Sequence, residues 1–309
     1  MNKRYLPFLI PASASPLMLC ASPQASAQTA DAPTVITVQP LFEYPEAPAD
    51  IEGLADKSAW LMQHFWDQLD VKKKSVDQSA LSHAFSVYCA PLRFAPRETA
   101  IASVDNLLKR LRKNPALLYQ FTRAAEENLY GPKAEIWVDE IYERFLRAAI
   151  ANKKIPAIRK VRWSEQLSQL ENCRTGSRMP AFRLIDRTGS EGVFSPGAHH
   201  TIIEFGDPGC DDCRMSRLKM ESDAALQSAV RSGKAAIYFI VTGDDDSWVL
   251  ETVDYPRSWT VAAAPDADDE LDLRRTPSFY VLAPDGTVTA KNVSVDEAVA
   301  IVKSAISRQ

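Results

Sequence analysis

Apolar residues in the first half of the chain recur at helical spacing. Leu61, Phe65 and Leu69 stand four apart, with Trp60 and His64 alongside, which predicts an amphipathic helix. Ser75 followed by Gln78 has the spacing of a capping box and predicts a second helix that stops before Pro91. A third is predicted from about Pro96 to Lys113. Asn114 then caps and Pro115 opens a fourth, which carries Leu117, Leu118, Phe121 and Leu129 and is ended by Gly131. A fifth carries Ile136, Ile141, Phe145 and Ala149, and a sixth spans 156–172. Trp60, Phe65 and Trp66 are read as bundle core rather than as a platform for a peptide or sugar. His64 and His83 are read as structural.

From residue 176 the pattern changes to short apolar runs separated by turn residues. A strand is predicted at Phe182–Ile185, with a turn from Asp186 to Gly192, and a buried strand at Thr201–Phe205. A helix through Leu218, Leu226 and Val230 follows, ended by Gly233. Further strands are predicted at Ala235–Val241, Ser278–Leu282 and Thr287–Ala290, then a last helix over about 294–306. Pro256-Arg257-Ser258-Trp259 is expected to open a strand, with Trp248 and Trp259 as packing residues.

Glycine usage sharpens this division. Of 11 glycines only Gly53 and Gly131 precede residue 176, as expected if a helical bundle is followed by strand-and-turn architecture. The 309 residues are 46% hydrophobic, enough for about two cores. The formal charge of −4 lacks the basic footprint of a nucleic-acid binder, so no nucleic-acid partner is expected. Residues 1–27 carry Lys3 and Arg4, no acid, a largely apolar stretch from Tyr5 to Leu19, and Ala25-Ser26-Ala27, the pattern of a secretory signal cleaved after Ala27. Export to the periplasm is expected; lipid anchoring through Cys20 is the alternative, disfavoured by Leu19 where a small residue is wanted. No later stretch reaches the ~20 apolar residues of a membrane span. Residues 28–50 read as a linker, 51–173 as a helical bundle and 174–309 as an α/β domain.

The chemistry lies in Cys210-Asp211-Asp212-Cys213, at a predicted strand-to-helix junction of a βαβ unit. A cysteine in the first turn of a helix faces unpaired backbone N–H groups and the positive end of the dipole, which favour its thiolate. The residue three positions on lies on the same face, within disulfide reach. Cys210 is therefore the expected nucleophile and Cys213 the sheltered resolving thiol. A structural disulfide, or a metal site using His199 and His200, would use the same residues differently, though no second CxxC completes a zinc centre. Cys89 and Cys173 either pair, closing an 84-residue separation for ~4–5 kcal/mol in the chain-entropy view, or remain buried thiols. No peroxidase-type Pro-x-x-x-Thr-x-x-Cys leads into Cys210, and no Gly-rich phosphate loop occurs, so no cofactor is expected.

The order Gly176, Pro180-Ala181-Phe182, Asp186, Gly189, then Ile202-Ile203-Glu204-Phe205, the CxxC and Thr276-Pro277 resembles the thioredoxin fold. More narrowly it resembles secreted TlpA-like thiol–disulfide oxidoreductases, over about residues 174–309. Together with His64-Phe65-Trp66-Asp67 and Asn128-Leu129-Tyr130, the chain is similar to a two-domain group of secreted bacterial proteins with an uncharacterised helical domain in front. The resemblance implies that Pro277 is cis and packs against the disulfide, and that the Thr276 backbone holds an extended substrate segment. It also places Glu204, six residues before Cys210, where thioredoxins keep a buried acid able to accept the Cys213 proton. The other reading of Glu204 is a residue facing water on an edge strand. Two departures stand out: Gly209 replaces an aromatic residue, and Asp211-Asp212 opposes a Cys210 thiolate unless Arg214 compensates. That opposition favours the reductase or isomerase direction over a strong oxidant.

The expectation is thus a two-domain chain, an all-α bundle followed by an α/β thioredoxin-like domain. It would act as an exported thiol–disulfide oxidoreductase on disulfide-containing proteins, recharged by a partner reductase, with an unknown partner possible for the helical domain. The alternative is a non-enzymatic thioredoxin-like binding module whose disulfide only stiffens the fold.

Overall fold

The computed structural model describes residues 39–243 and 246–308. The expected export segment 1–27, Cys20 and the first part of the 28–50 linker lie outside the described residues.

Six helices lead the described chain: α1 (Leu54–His64), α2 (Gln78–Cys89), α3 (Arg97–Leu111), α4 (Pro115–Leu129), α5 (Asp139–Ala151) and α6 (Val161–Asn172). α1 is shorter than its apolar period predicts. After His64 the chain passes into turns, and the Arg110 guanidinium takes up the carbonyls of Trp66 (2.9 Å) and Leu69 (3.0 Å) that helix continuation would have paired. α2 begins later than Ser75 because Asp77, and not the serine, is its N-cap, accepting from the Ala80 N–H at 2.8 Å. Asn114 caps α4 as predicted, accepting from the Leu117 N–H at 3.1 Å, and its amide also donates to the carbonyls of Val71 and Lys73. Phe65, Trp66, Phe85, Tyr88, Phe121 and Phe145 form a buried aromatic core. Their contacts are largely edge-to-face, as between Trp66 and Phe121 with centroids 5.0 Å apart. Trp60 is left at the margin, half-buried against His64. Leu41, Phe42 and Tyr44 fall within the expected linker yet pack onto this core, Phe42 edge-on to both Phe65 and Trp66. Their apolar area outweighs the Ala, Pro and acid-rich composition around them.

The remaining elements are β1 (Arg183–Asp186), β2 (Glu191–Val193), β3 (His200–Gly206), α7 (Asp211–Ser222), α8 (Ala224–Arg231), β4 (Ala235–Val241), α9 (Trp248–Glu251), β5 (Thr260–Ala263), α10 (Ala267–Glu270), β6 (Ser278–Leu282), β7 (Val288–Lys291) and α11 (Val295–Ser307). Among the described residues seven strands make one mixed sheet in the order β2-β1-β5-β4-β3-β6-β7. β3, β4 and β5 run parallel, β6 and β1 flank them antiparallel, and the outer strands β7 and β2 each pair antiparallel with their neighbour. β2 overlaps the end of the predicted Asp186–Gly192 turn. Asp186 Oδ1 accepts from the Thr188 and Ser190 N–H groups and Gly189 takes φ +79°, so the hairpin closes early and pairing resumes at Glu191. The helix predicted through Leu218 and Val230 is two helices, because Asp223 ends α7 and caps α8 by accepting from the Leu226 N–H; Leu218, within α7, is exposed.

α7, α8 and α11 cover one face of the sheet, over Ile202, Ile237, Phe239, Phe279 and Val281. Ile203, Phe205, Ile240, Tyr280 and Leu282 point to the other face, where they meet Cys173, Met179, Phe182 and Leu271. Cys89 and Cys173 sit in different cores, both buried and both free thiols. Trp248 and Trp259 are buried packing residues. Among the described residues no helix is long and apolar enough to cross a membrane.

Candidate active site

All seven residues of β3 are buried, because the strand lies between β4 and β6 and helices cover it. This fixes where Glu204 lies. It is a central-strand residue with 0% of its surface exposed, and not an edge residue facing water. Its register neighbours are Phe239 on β4 and Phe279 on β6, so the carboxyl lies between two aromatic side chains on the face covered by α7. Neither carboxyl oxygen has a protein hydrogen-bond partner. Burial raises its pKa well above the ordinary value; the nearby Cys210 adds to this, and Arg217 opposes it.

β3 ends at Gly206. The loop 207–209 is braced by the Gly209 N–H donating to Asp207 Oδ1 at 2.7 Å and the Cys210 N–H donating to the Asp207 carbonyl at 3.0 Å. Cys210 is the N-cap of α7, and its sulfur accepts the Cys213 N–H at 3.3 Å. A partly exposed sulfur is thus set against the backbone N–H groups at the helix N-terminus. Cys213 lies one turn on, 0% exposed, with its sulfur 3.5 Å from the Asp207 N–H. Burial, the bond to Cys210 and the proximity of Glu204 push its pKa up. Gly206 matters here for space and not for φ. A methyl group there would lie 3.2 Å from Cys213 Sγ and 3.0 Å from the Phe239 ring.

The Asp211 charge is paired with Arg214 at i+3, so one of the two charges that oppose a Cys210 thiolate is compensated. The Thr276-Pro277 peptide is cis. The two residues line a groove of about 260 Å³ with Asp212, Met215, Lys219 and Arg275. Met215 is 54% exposed there. The structure therefore gathers the CxxC helix and the cis-proline segment on one groove, while Glu204 lies buried beneath the sulfurs.

Arg217, Asp254 and Tyr255 were not anticipated. The Arg217 guanidinium lies 4.5 Å from the centre of the Tyr255 ring and 2.9 Å from Asp254 Oδ2, and the Tyr255 ring packs edge-on against Phe239. Burial, with Glu204 nearby and Arg217 opposing, pushes the Tyr255 pKa up to about 12. The position of Arg217, four residues after Cys213 on one helix, was the available signal. His199 does not meet a ligand set: its Nδ1 donates to the Gly233 carbonyl at 2.7 Å. Among the described residues no group of three or more His, Cys, Asp or Glu could hold a metal.

The class that this fold defines is thioredoxin-like. The chain matches a thioredoxin-like protein from Bacteroides caccae at 21% identity and TM-score 0.72, over 88% of this chain and all of that one. A thiol–disulfide oxidoreductase thioredoxin domain from Bacteroides vulgatus is similar at 20% identity over 43% of this chain and 97% of its own, TM-score 0.37. A conserved protein of unknown function from Bacteroides fragilis is similar at 23% identity over 41% and 98%, TM-score 0.40. The sequence profile of a domain of unknown function (DUF5106) matches residues 20–172, just under half of the chain. No curated protein matches.

Proposed function

We propose that this chain is an exported thiol–disulfide oxidoreductase of TlpA-like type, working on protein disulfides in the reductase or isomerase direction. The observation that carries the reading is the stacking of three groups. The Cys210 thiol stands at a helix N-cap, Cys213 is buried one turn on, and an unpartnered Glu204 carboxyl lies beneath them.

Cys210 Sγ attacks one sulfur of a substrate disulfide. The substrate S–S bond breaks, its leaving thiolate takes a proton, and a mixed disulfide forms. The negative charge of Cys210 that helped keep Glu204 protonated is then gone and Arg217 favours the carboxylate, so Glu204 gives up its proton, the one that the first leaving thiolate takes. Glu204 accepts the Cys213 proton, and the Cys213 thiolate attacks Cys210 Sγ. The second substrate thiolate leaves, so the substrate gains two electrons and two protons and Cys210–Cys213 becomes a disulfide. A partner dithiol reductase returns the pair to the reduced state. Thr276 and Pro277 hold the substrate segment beside the sulfurs. The signal pattern of residues 1–27 supports delivery to the periplasm, with Cys20 as the alternative lipid site.

The test is reduction of insulin with dithiothreitol as electron source. The protein should accelerate it, and Cys210→Ser should abolish the acceleration. No acceleration by the parent would favour the binding-module reading.

A further inference from the structure

The segment that leads into Thr276-Pro277 is gripped from the helical half. Arg274 precedes Thr276 by two residues, yet its side chain is only 1% exposed. It donates to both oxygens of Asp272, which is 0% exposed, and to Asp139 Oδ1 at 2.6 Å. Asp139 is the first residue of α5, and its other oxygen lies 2.9 Å from Lys291 Nζ at the end of β7. Lys291 and Asn292 also donate to Asp272, at 2.6 and 3.0 Å. Two aromatic residues from the α4–α5 connection close the cluster. The Arg274 guanidinium lies 4.3 Å from the Tyr130 ring centre and 5.2 Å from that of Trp137. Trp137 also faces Arg275, at 4.8 Å, and Arg275 lines the groove beside Thr276 and Pro277.

A buried ionic cluster of this kind is a weak source of net stability, because desolvation offsets most of its Coulomb gain. What it does supply is a fixed geometry, since each charge has a small set of partners at defined distances. Burial alone would raise the Asp272 pKa, but Arg274 and Lys291 outweigh it and hold the carboxyl below its ordinary value. Asp272 is therefore ionised. Among the described residues the cluster's members from the helical half are Asp139, Tyr130 and Trp137, and they act on two adjacent residues, one buried and one lining the groove.

We infer that Asp139 and Trp137 are positioning residues: through Arg274 and Arg275 the helical half holds the Thr276-Pro277 segment in the shape that binds an extended, disulfide-bearing polypeptide. This rests on the redox reading of Cys210 and Cys213. Small disulfides that need no groove should be indifferent to it.

The experiment uses the full chain and two substrates: a ten-residue peptide carrying a mixed disulfide with a chromogenic thiol, and 5,5′-dithiobis(2-nitrobenzoate). Asp139→Asn and Trp137→Ala should each raise KM for the peptide about tenfold and leave kcat within twofold. The rate with the small disulfide should not move, and Trp137→Phe should restore the peptide KM. If Asp139→Asn fails to unfold cooperatively, Trp137→Ala, which removes no partner of an ion pair, carries the same comparison. A parent active on both substrates whose folded variants keep the peptide KM within twofold overturns the positioning role alone. A loss of equal size on both substrates also overturns it. A parent active on neither overturns the redox reading and this inference with it.

Discussion

Replacing Glu204 with leucine should stabilise the protein while slowing its chemistry. The carboxyl is fully buried between Phe239 and Phe279 and has no protein partner for either oxygen. Leaving such a group unsatisfied costs about 1–3 kcal/mol, which an apolar side chain of similar volume recovers. A pH-dependent part is added to this. The folded-state pKa is raised, so the contribution of the group to stability is fullest below about pH 4.5 and is lost as pH rises towards the folded value. The loss is about 1.4 kcal/mol per pH unit within that window. The advantage of Glu204→Leu over the parent should therefore grow between pH 5 and pH 7.5, by up to about 3 kcal/mol. Urea unfolding of both proteins under reductant at the two pH values measures it. In the same variant, release of the second thiol from the mixed disulfide should slow at least tenfold while the first attack continues. A Glu204→Leu protein less stable than the parent at pH 7.5, or a difference that does not change with pH, would refute the account of this carboxyl.

Three other outcomes follow from particular contacts. Gly206→Ala would push a methyl group into Cys213 Sγ and the Phe239 ring, so it should cost about 1–3 kcal/mol and lower resolution rate, read by denaturant midpoint and single-turnover kinetics. Asn114→Ala removes a helix cap and two further donations to the 71–73 loop and should cost about 1–2 kcal/mol by the same midpoint, with no change in thiol reactivity. Under reductant, limiting iodoacetamide should modify Cys210 before Cys89, Cys173 and Cys213, which are buried; peptide mass spectrometry that finds one of those three modified first would contradict the site geometry.

The parts of the molecule legible in the sequence are those governed by local rules. The apolar period marked six helices, Asn114-Pro115 marked a cap, and Ala235–Val241 coincides with β4. Helix ends were displaced where a distant group intervened. Arg110 takes the carbonyls after α1; a local cap did the same within a helix, where Asp223 accepts from the Leu226 N–H and splits a predicted helix in two. Around the site the CxxC at a strand-to-helix junction was readable, because helix-terminus chemistry acts over a few residues. The surroundings of Glu204 were not. Its isolation depends on β3 being flanked by Phe239 and Phe279, which a strand pattern alone leaves undetermined. The Asp139–Arg274 contact was beyond sequence reading for the same reason. Its partners are 135 residues apart, and Asp272 to Arg275 has the composition of an exposed loop.

The central claim is that Cys210 forms a mixed disulfide that Cys213 resolves. The direct measurement is to incubate reduced Cys213→Ser with disulfide-bonded insulin and analyse the products by non-reducing mass spectrometry. A covalent adduct linked through Cys210, released by dithiothreitol and lost when Cys210 is also replaced by serine, is the result predicted. No adduct, or an adduct through Cys89 or Cys173, would contradict the account.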